Sequence, residues 1–459
     1  MRAILAIVIS GGLALVAGAA PRAVSELAAL IDAAPAGTTV VVPPGEYHGR
    51  LRIDKPIVLD GEGRATIDGG GEGDVIEIAC AGVTVRGLRI RGTGKDVSSE
   101  PAAIRALAGE TTIEDNQIDD ALFGVDLREA PNSVVRRNTI RGKDLEPGRR
   151  GDGVRLWWSH GCVVEDNRVD RTRDLVFWYS EDLTVARNHV TGSRYGLHFM
   201  YSHSTEIVGN ELTGNSVGVY LMYSNRIRLT GNVMTNNRGA SGYGIGLKDC
   251  DDITLEGNAL LANRVGLYID NSPSSVDSAG VIVRNLIAFN EIGFLATPNT
   301  HDNRISGNAF VENEEQAATN GRGDLARNTF SADGAGNFWS DYAGFDLDGD
   351  GRGDLAYEPR SLFSSLMATQ PNLRLFVHSP AQQAVEFTAR ALPELRPSPM
   401  FTDPAPLARR PALDLPTGTS ERSAWPMATL GAALVGGAAM VCLALTRDGR
   451  LHVGERRIA

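Results

Sequence analysis

An asparagine followed two positions later by an apolar residue returns at Asn116, Asn138, Asn167, Asn188, Asn210, Asn232, Asn258, Asn285, Asn308 and Asn328, at intervals of 22, 29, 21, 22, 22, 26, 27, 23 and 20 residues. A second marker, of the type G-V-x-L-x-x-S, sits at Gly153, Asp174, Gly196, Gly218, Gly244 and Gly266, spaced by 21, 22, 22, 26 and 22. Two markers sharing one period define a repeat architecture. Leucine-rich repeats have a similar length, but their Leu-rich consensus and helical side are missing here. Apolar residues alternate instead, as in TLEGNALLANRVGLYI (Thr254–Ile269), which is the period of strands. Three short strands per repeat, coiling once, predict an all-β parallel β-helix. With rungs stacked at about 4.8 Å, ten Asn-marked rungs make a column of roughly 45–50 Å. The Asn residues suit the left-handed conformation of tight turns and can bond along a ladder. Longer intervals place loops at Arg141–Arg150, Asn237–Tyr243 and Ser272–Ala279, and loops are where binding concentrates.

The ends of such a column need covers. Ala23–Ala34 has helical apolar spacing and reads as an N-terminal lid, and Ala381–Leu392 as a second helix at the other end. The expected organisation is a signal peptide at 1–19, the β-helix at 20–360, a C-terminal cap region at 361–392, a Pro-rich spacer at 393–424, a transmembrane helix at 425–446 and a cytoplasmic tail at 447–459. Arg2, the following apolar run and Ala17-Gly18-Ala19 form the export signal. Met427–Leu445 carries no charge over 19 residues, with Trp425 at one border and Arg447, Arg450, Arg456 and Arg457 beyond the other. The body is therefore expected in the periplasm, anchored in the inner membrane. A net charge of -11 argues against nucleic-acid partners. Cys442 lies in the expected span; Cys80, Cys162 and Cys250 show no metal-type spacing and read as packed thiols, although a disulfide among them stays open.

Strand alternation assigns the faces of the second marker. The pairs Val154/Leu156, Leu175/Phe177, Leu197/Phe199, Val219/Leu221, Ile245/Leu247 and Leu267/Ile269 point inward. The pairs Arg155/Trp157, Val176/Trp178, His198/Met200, Tyr220/Met222, Gly246/Lys248 and Tyr268/Asp270 are expected to face solvent. The outer face then carries Trp157, Trp178, Met200 and Met222 in a row, flanked by Trp158, Tyr179, Tyr201 and Tyr223. An exposed apolar strip on an acidic exported protein predicts a partner-binding surface. Thioether and imidazole together suit Cu(I), so His198, Met200 and Met222 form a candidate transient copper site, with His203 just past the turn. Asp346, Asp348, Asp350 and Asp354 fall at the spacing of a calcium loop, with Gly351 sixth and Tyr357 in place of the twelfth-position Glu. No resident cofactor is required on this reading.

A polysaccharide-modifying lyase, hydrolase or epimerase is the alternative. Such chemistry needs stacked carboxylates or an acid set with a base on one face. The third outer position instead reads Asp126, Arg155, Val176, His198 and Tyr220, so acids do not stack.

The segments RGDGVRLWWS, DLVFWYS, RYGLHFMYS and VGVYLMYS, with the closing GNFWSDYAGFDLDGDGRGD, resemble the NosD family, periplasmic maturation factors for the copper sites of nitrous oxide reductase. The resemblance runs over Ala23–Pro406. It implies a right-handed, pectate-lyase-like β-helix that is not an enzyme. It also implies a complex with an ABC-type permease and ATPase, and contacts with a copper-chaperone lipoprotein and with the reductase. No catalytic residues carry over from the family, and the expected C-terminal membrane span departs from a simple soluble member.

Overall fold

The computed structural model describes residues 21–413 apart from 378 and 396; the expected signal peptide, transmembrane helix and cytoplasmic tail lie outside the described residues. Among the described residues no helix is long and apolar enough to cross a membrane. The chain winds into a right-handed parallel β-solenoid of about 13 turns. One face is a sheet of 12 parallel strands running from Leu51–Ile53 to Glu315–Thr319, and the remaining coil strands join in a 24-stranded sheet.

Alternation drives this packing. The inward pairs from Val154/Leu156 to Leu267/Ile269 are all buried, and Phe177 stacks on Phe199 at 4.4 Å. Each turn of the coil adds such a layer, so the core is one continuous apolar column.

The asparagines form a buried ladder inside a corner of the coil. Asn188 is representative: its backbone N–H donates to Asn210 Oδ1 at 2.9 Å, and its Nδ2 donates to Asn210 Oδ1 at 3.0 Å and to the Val164 carbonyl at 2.8 Å. The left-handed conformation expected at these asparagines belongs instead to the residue before nine of the ten, Asn328 being the exception. Positive φ is found at Asp115, Arg137, Asp166, Arg187, Gly209, Gly231, Gly257, Arg284 and Gly307. The turn thus divides two tasks: one residue bends the backbone and the next saturates the orphaned donors. The ladder's last step also differs from the sequence expectation, because Asn308 bonds Asn337 while Asn328 serves a separate step from Asn303. A second ladder links Asn215, Asn237, Asn263, Asn290 and Asn313.

Helix α1 (Val24–Ala33) buries Val24, Leu27 and Ile31 against the first coils, as a lid should. The far end is closed differently from expectation. Helices α2 (Leu362–Thr369) and α3 (Pro380–Ala391) pack on each other, with Glu386 accepting from Ser361 Oγ and the Phe363 N–H. The plug is made by residues expected as spacer: Phe401 stacks on Phe330 at 3.8 Å, and Asp403 is fully buried beside Trp339. Backbone bonds from Leu325 to Met400, Gly336 to Ala405 and Gly353 to Pro406 stitch this segment into the column end. Among the described residues the thiols are unpaired: Cys162 and Cys250 are buried, Cys80 is half-buried, and burial pushes Cys162 up to about 11 and Cys250 up to about 12.

Candidate docking face

The broad sheet aligns the expected strip residue by residue. Trp157 pairs in register with Trp178, Trp178 with Met200, and Met200 with Met222, with Lys248 and Asp270 continuing the column. Trp157 and Trp178 meet edge to face at 5.8 Å. Beside them runs a second column, Trp158, Tyr179, Tyr201 and Tyr223, whose rings lie flat on one another at 5.2, 5.2 and 5.0 Å. Trp158 is 49% and Tyr201 41% exposed, and the other strip side chains are half-buried. Four rungs span about 14 Å at the interstrand spacing, so the two columns form a compact aromatic and thioether surface.

All four residues of the second column hold positive φ: 50° at Trp158, 51° at Tyr179, 52° at Tyr201 and 51° at Tyr223. Each immediately precedes a buried serine of a hydroxyl ladder, in which the Ser180 N–H bonds Ser202 Oγ and the Ser202 N–H bonds Ser224 Oγ. The rungs on either side put Glu129, Asp249 and Asn271 at the same left-handed place, and Asp and Asn are residue types at home there. The aromatics therefore replace easier choices on the rungs that also carry Trp, Trp, Met and Met. Where this column ends, Tyr223, Ser224, Asn225, Asp249, Asp251 and Ser274 line a cleft of ≈ 470 Å³.

The third outer position corrects the sequence expectation. Asp126, Arg155, Val176, His198 and Tyr268 point away from the coil's core, yet all are buried. Glu100, from the loop before the Ala102–Ala106 strand, clamps Arg155 through both guanidinium nitrogens at 2.9 Å. His198 is 6% exposed, boxed by Tyr195 at 4.9 Å, Trp178 at 5.8 Å and Tyr220 at 6.5 Å, with Nδ1 3.5 Å from Asp174 Oδ2. Among the described residues His198 Nε2 and Trp178 Nε1 have no hydrogen-bond partner, and His198 Nδ1 has only its long approach to Asp174. His198 is therefore not the solvent-facing copper ligand expected beside Met200 and Met222; it packs beneath the strip and backs Trp178. Burial opposes the Asp174 charge, but His198 and Arg194 outweigh it and hold the carboxyl below its ordinary range. The repeat marker includes Asp174, the one place where it lacks glycine, but gives it no role, and nothing in the sequence singles out Tyr195.

Asp346, Asp348 and Asp350 bring carboxylate oxygens within 4.8 Å of one another. Asp354 stays at the loop's base, accepting from the Leu347 N–H at 2.7 Å. At the twelfth position Tyr357 stacks on Trp339 inside the plug, and neighbouring Glu358 pairs with Arg360. Three of the four acidic side chains at calcium-loop spacing thus converge, and no Glu stands at the twelfth position.

These features define a class: a right-handed parallel β-solenoid with a partly exposed aromatic and thioether array on its broad sheet. A family model described as "Periplasmic copper-binding protein (NosD)" matches residues 141–344. A Pseudomonas aeruginosa protein named "Probable ABC transporter binding protein NosD" is 36% identical over 386 residues, covering 81% of this chain and 88% of that protein. Its Stutzerimonas stutzeri namesake is 32% identical over 400 residues, covering 83% and 89%. The chain belongs to the NosD family. Among solved structures, the A-module of the Azotobacter vinelandii mannuronan C-5 epimerase AlgE6 aligns with a TM-score of 0.50 at 15% identity, covering 67% of this chain and 93% of that one. That likeness concerns the fold alone.

Proposed function

We propose that this chain is a non-catalytic periplasmic maturation factor. It docks a copper-chaperone lipoprotein and nitrous oxide reductase onto an ABC-type permease and ATPase for assembly of the reductase's copper sites. Trp157, Trp178, Met200, Met222, Tyr201 and Tyr223 are the docking face. Cu(I) is cargo, passed across Met200 and Met222, whose soft thioethers suit a soft ion. The uncharged run at 427–445 anchors the protein in the inner membrane. Residues Asp346, Asp348 and Asp350 hold a structural Ca²⁺.

The observation that carries this reading is the coil-by-coil register of Trp157, Trp178, Met200 and Met222 beside a strained aromatic stack. Strain kept at a surface, on rungs where unstrained types are available, points to a demand from outside the fold. An enzymatic role is disfavoured by the walls around His198 and Asp174, because a general acid or base must reach its substrate.

The test compares two double variants of the full chain. Met200→Ala/Met222→Ala is expected to lower the copper content of the matured reductase at least tenfold while retaining partner binding. Trp157→Ala/Trp178→Ala is expected to lose partner binding itself. Equal effects from both pairs would reduce the strip to a scaffold that never handles copper, and wild-type behaviour from both would remove the docking face altogether.

A further inference from the structure

Two of the loops that lengthen the repeat wall a single groove. Pro147, Gly148 and Arg150 form one side, Asn236, Arg238, Gly239, Ala240 and Ser241 the other, and the groove, open on one side, has a volume of ≈ 710 Å³. Four arginines converge on it, Arg150, Arg173, Arg194 and Arg238, and among the described residues that line it there is no carboxylate. In a chain with 56 acidic and 45 basic residues this lining runs against composition.

The guanidiniums are fixed in advance. Arg173 bonds both oxygens of buried Asp152 at 2.9 and 3.0 Å, and Arg194 grips buried Asp174 in the same two-pronged way while stacking on Tyr195 at 4.5 Å. Arg150 donates to the carbonyls of Leu145 at 2.9 Å and Gly192 at 3.2 Å. Arg238 donates to the Ala262 carbonyl at 3.2 Å and to Glu291 at 2.5 Å. Each set uses two of the five donors a guanidinium carries. Four positive charges face two buried carboxylates and one at the rim, which leaves a positive excess. Ion pairing inside the coil accounts for Arg173 and Arg194. It does not account for two separate inserted loops each delivering an arginine to the same opening.

Planar, pre-ordered guanidiniums match carboxylates geometrically, and ordering them beforehand lowers the entropy lost on binding. The volume is that of a ligand site. Tyr195 lies on the groove and packs against His198, which in turn packs against Trp178 of the aromatic strip, so the groove and the strip are linked through two ring contacts. We propose that the groove binds a ligand bearing several carboxylates, presented by an acidic peptide segment of a partner docked on the strip. This rests on the docking reading above, but its test contains no partner, so the two fail separately.

The full chain is titrated calorimetrically with an acetylated hexaglutamate peptide and, separately, with citrate, at low and high salt. The peptide is expected to bind at least tenfold tighter than citrate and to weaken with salt. Arg150→Ala/Arg238→Ala, which leaves the buried pairs on Asp152 and Asp174 in place, is expected to weaken peptide binding at least tenfold with an unchanged melting temperature. Arg304→Ala, outside the groove, is expected to bind as wild type. No peptide binding at millimolar concentration, or binding indifferent to the double substitution, overturns the proposal. Citrate binding tighter than the peptide overturns the peptide source.

Discussion

Tyr179 lies flat against Tyr201, with ring centroids 5.2 Å apart and planes 8° from parallel, although the two residues hold φ of 51° and 52°. A left-handed conformation costs a non-glycine residue about 1–2 kcal/mol. A stacked pair contributes about 0.5–1.5 kcal/mol beyond area burial. The column holds four such residues and three such stacks, a cost of about 4–8 kcal/mol against a return of about 1.5–4.5 kcal/mol, so stacking alone does not offset its strain.

Substituting Tyr201 separates these terms. Tyr201→Gly removes the strain together with both stacks, so its unfolding free energy is expected to stay within about 1 kcal/mol of wild type. Tyr201→Ala keeps the strain and loses the stacks, and should be the less stable of the two by about 1 kcal/mol. On the proposed docking role, both should bind the reductase at least tenfold more weakly. Paired urea melts and binding titrations read the two effects. A Gly variant that is unstable yet binds normally would make the column purely structural.

The inner ladder gives the opposite kind of prediction. Asn188→Ala strips the acceptor from the Asn167 N–H and Nδ2, bonded at 3.1 and 3.0 Å, and frees the Val164 carbonyl, all deep in the coil. Buried groups left unpaired cost about 1–3 kcal/mol each. A loss of about 3–5 kcal/mol in urea unfolding is expected, against less than about 1 kcal/mol for an exposed asparagine such as Asn299.

The ladder was legible because a parallel coil writes its register once per turn, so a residue needed on every rung appears as a period. The position of the left-handed residue was not, because Asp, Arg and Gly all fill it and no single type marks it. The burial of the third outer column was equally hidden. Alternation correctly turns Arg155 and His198 away from the core, but what covers them comes from Glu100, 55 residues before Arg155, and from the rings of Tyr195 and Tyr220. Period and polarity say which way a side chain points; they do not say what another segment lays over it.

Buried Asp152 predicts a pH effect. Burial pushes its carboxyl up to about 6, despite the guanidinium of Arg173. A carboxyl whose folded value exceeds its unfolded one binds more protons when folded, so its contribution is greatest below about pH 4 and falls as pH rises toward 6. Asp74, Glu100 and Asp174 are held below their ordinary ranges and act in the opposite sense, losing stability on acidification. The test is therefore a difference. Subtracting the Asp152→Asn urea midpoints from those of wild type should leave a value that declines between about pH 4 and 6. A flat or rising difference contradicts the assignment.

The acidic loop predicts a metal effect of moderate size. Adding millimolar Ca²⁺ to chelator-treated protein should raise the melting temperature by a few degrees through binding to the folded state alone. Asp348→Asn should abolish that rise, and Mg²⁺ should produce less of it, because its octahedral shell tolerates irregular sites poorly. No rise at 10 mM Ca²⁺ would leave the loop a turn held by its Asp-to-backbone bonds.

The plug at the far end offers the most demanding test of what composition concealed. Seven prolines between 393 and 416 suggested an extended spacer, yet Asp403 reaches back 64 residues to accept from Trp339 Nε1 at 2.9 Å and 66 residues to accept from the Asn337 N–H at 2.8 Å. Asp403→Ala leaves those buried donors unpaired beneath Phe401 and should cost about 3–5 kcal/mol. Asp403→Asn keeps one acceptor oxygen and should cost roughly half as much. Because the plug covers only the last coils, the damage should begin there: proteolysis in Asp403→Ala is expected to open the chain near 320–335 first, while the aromatic strip at 157–222 keeps its tryptophan emission. Simultaneous loss of both regions would show that the plug holds the whole column rather than its end.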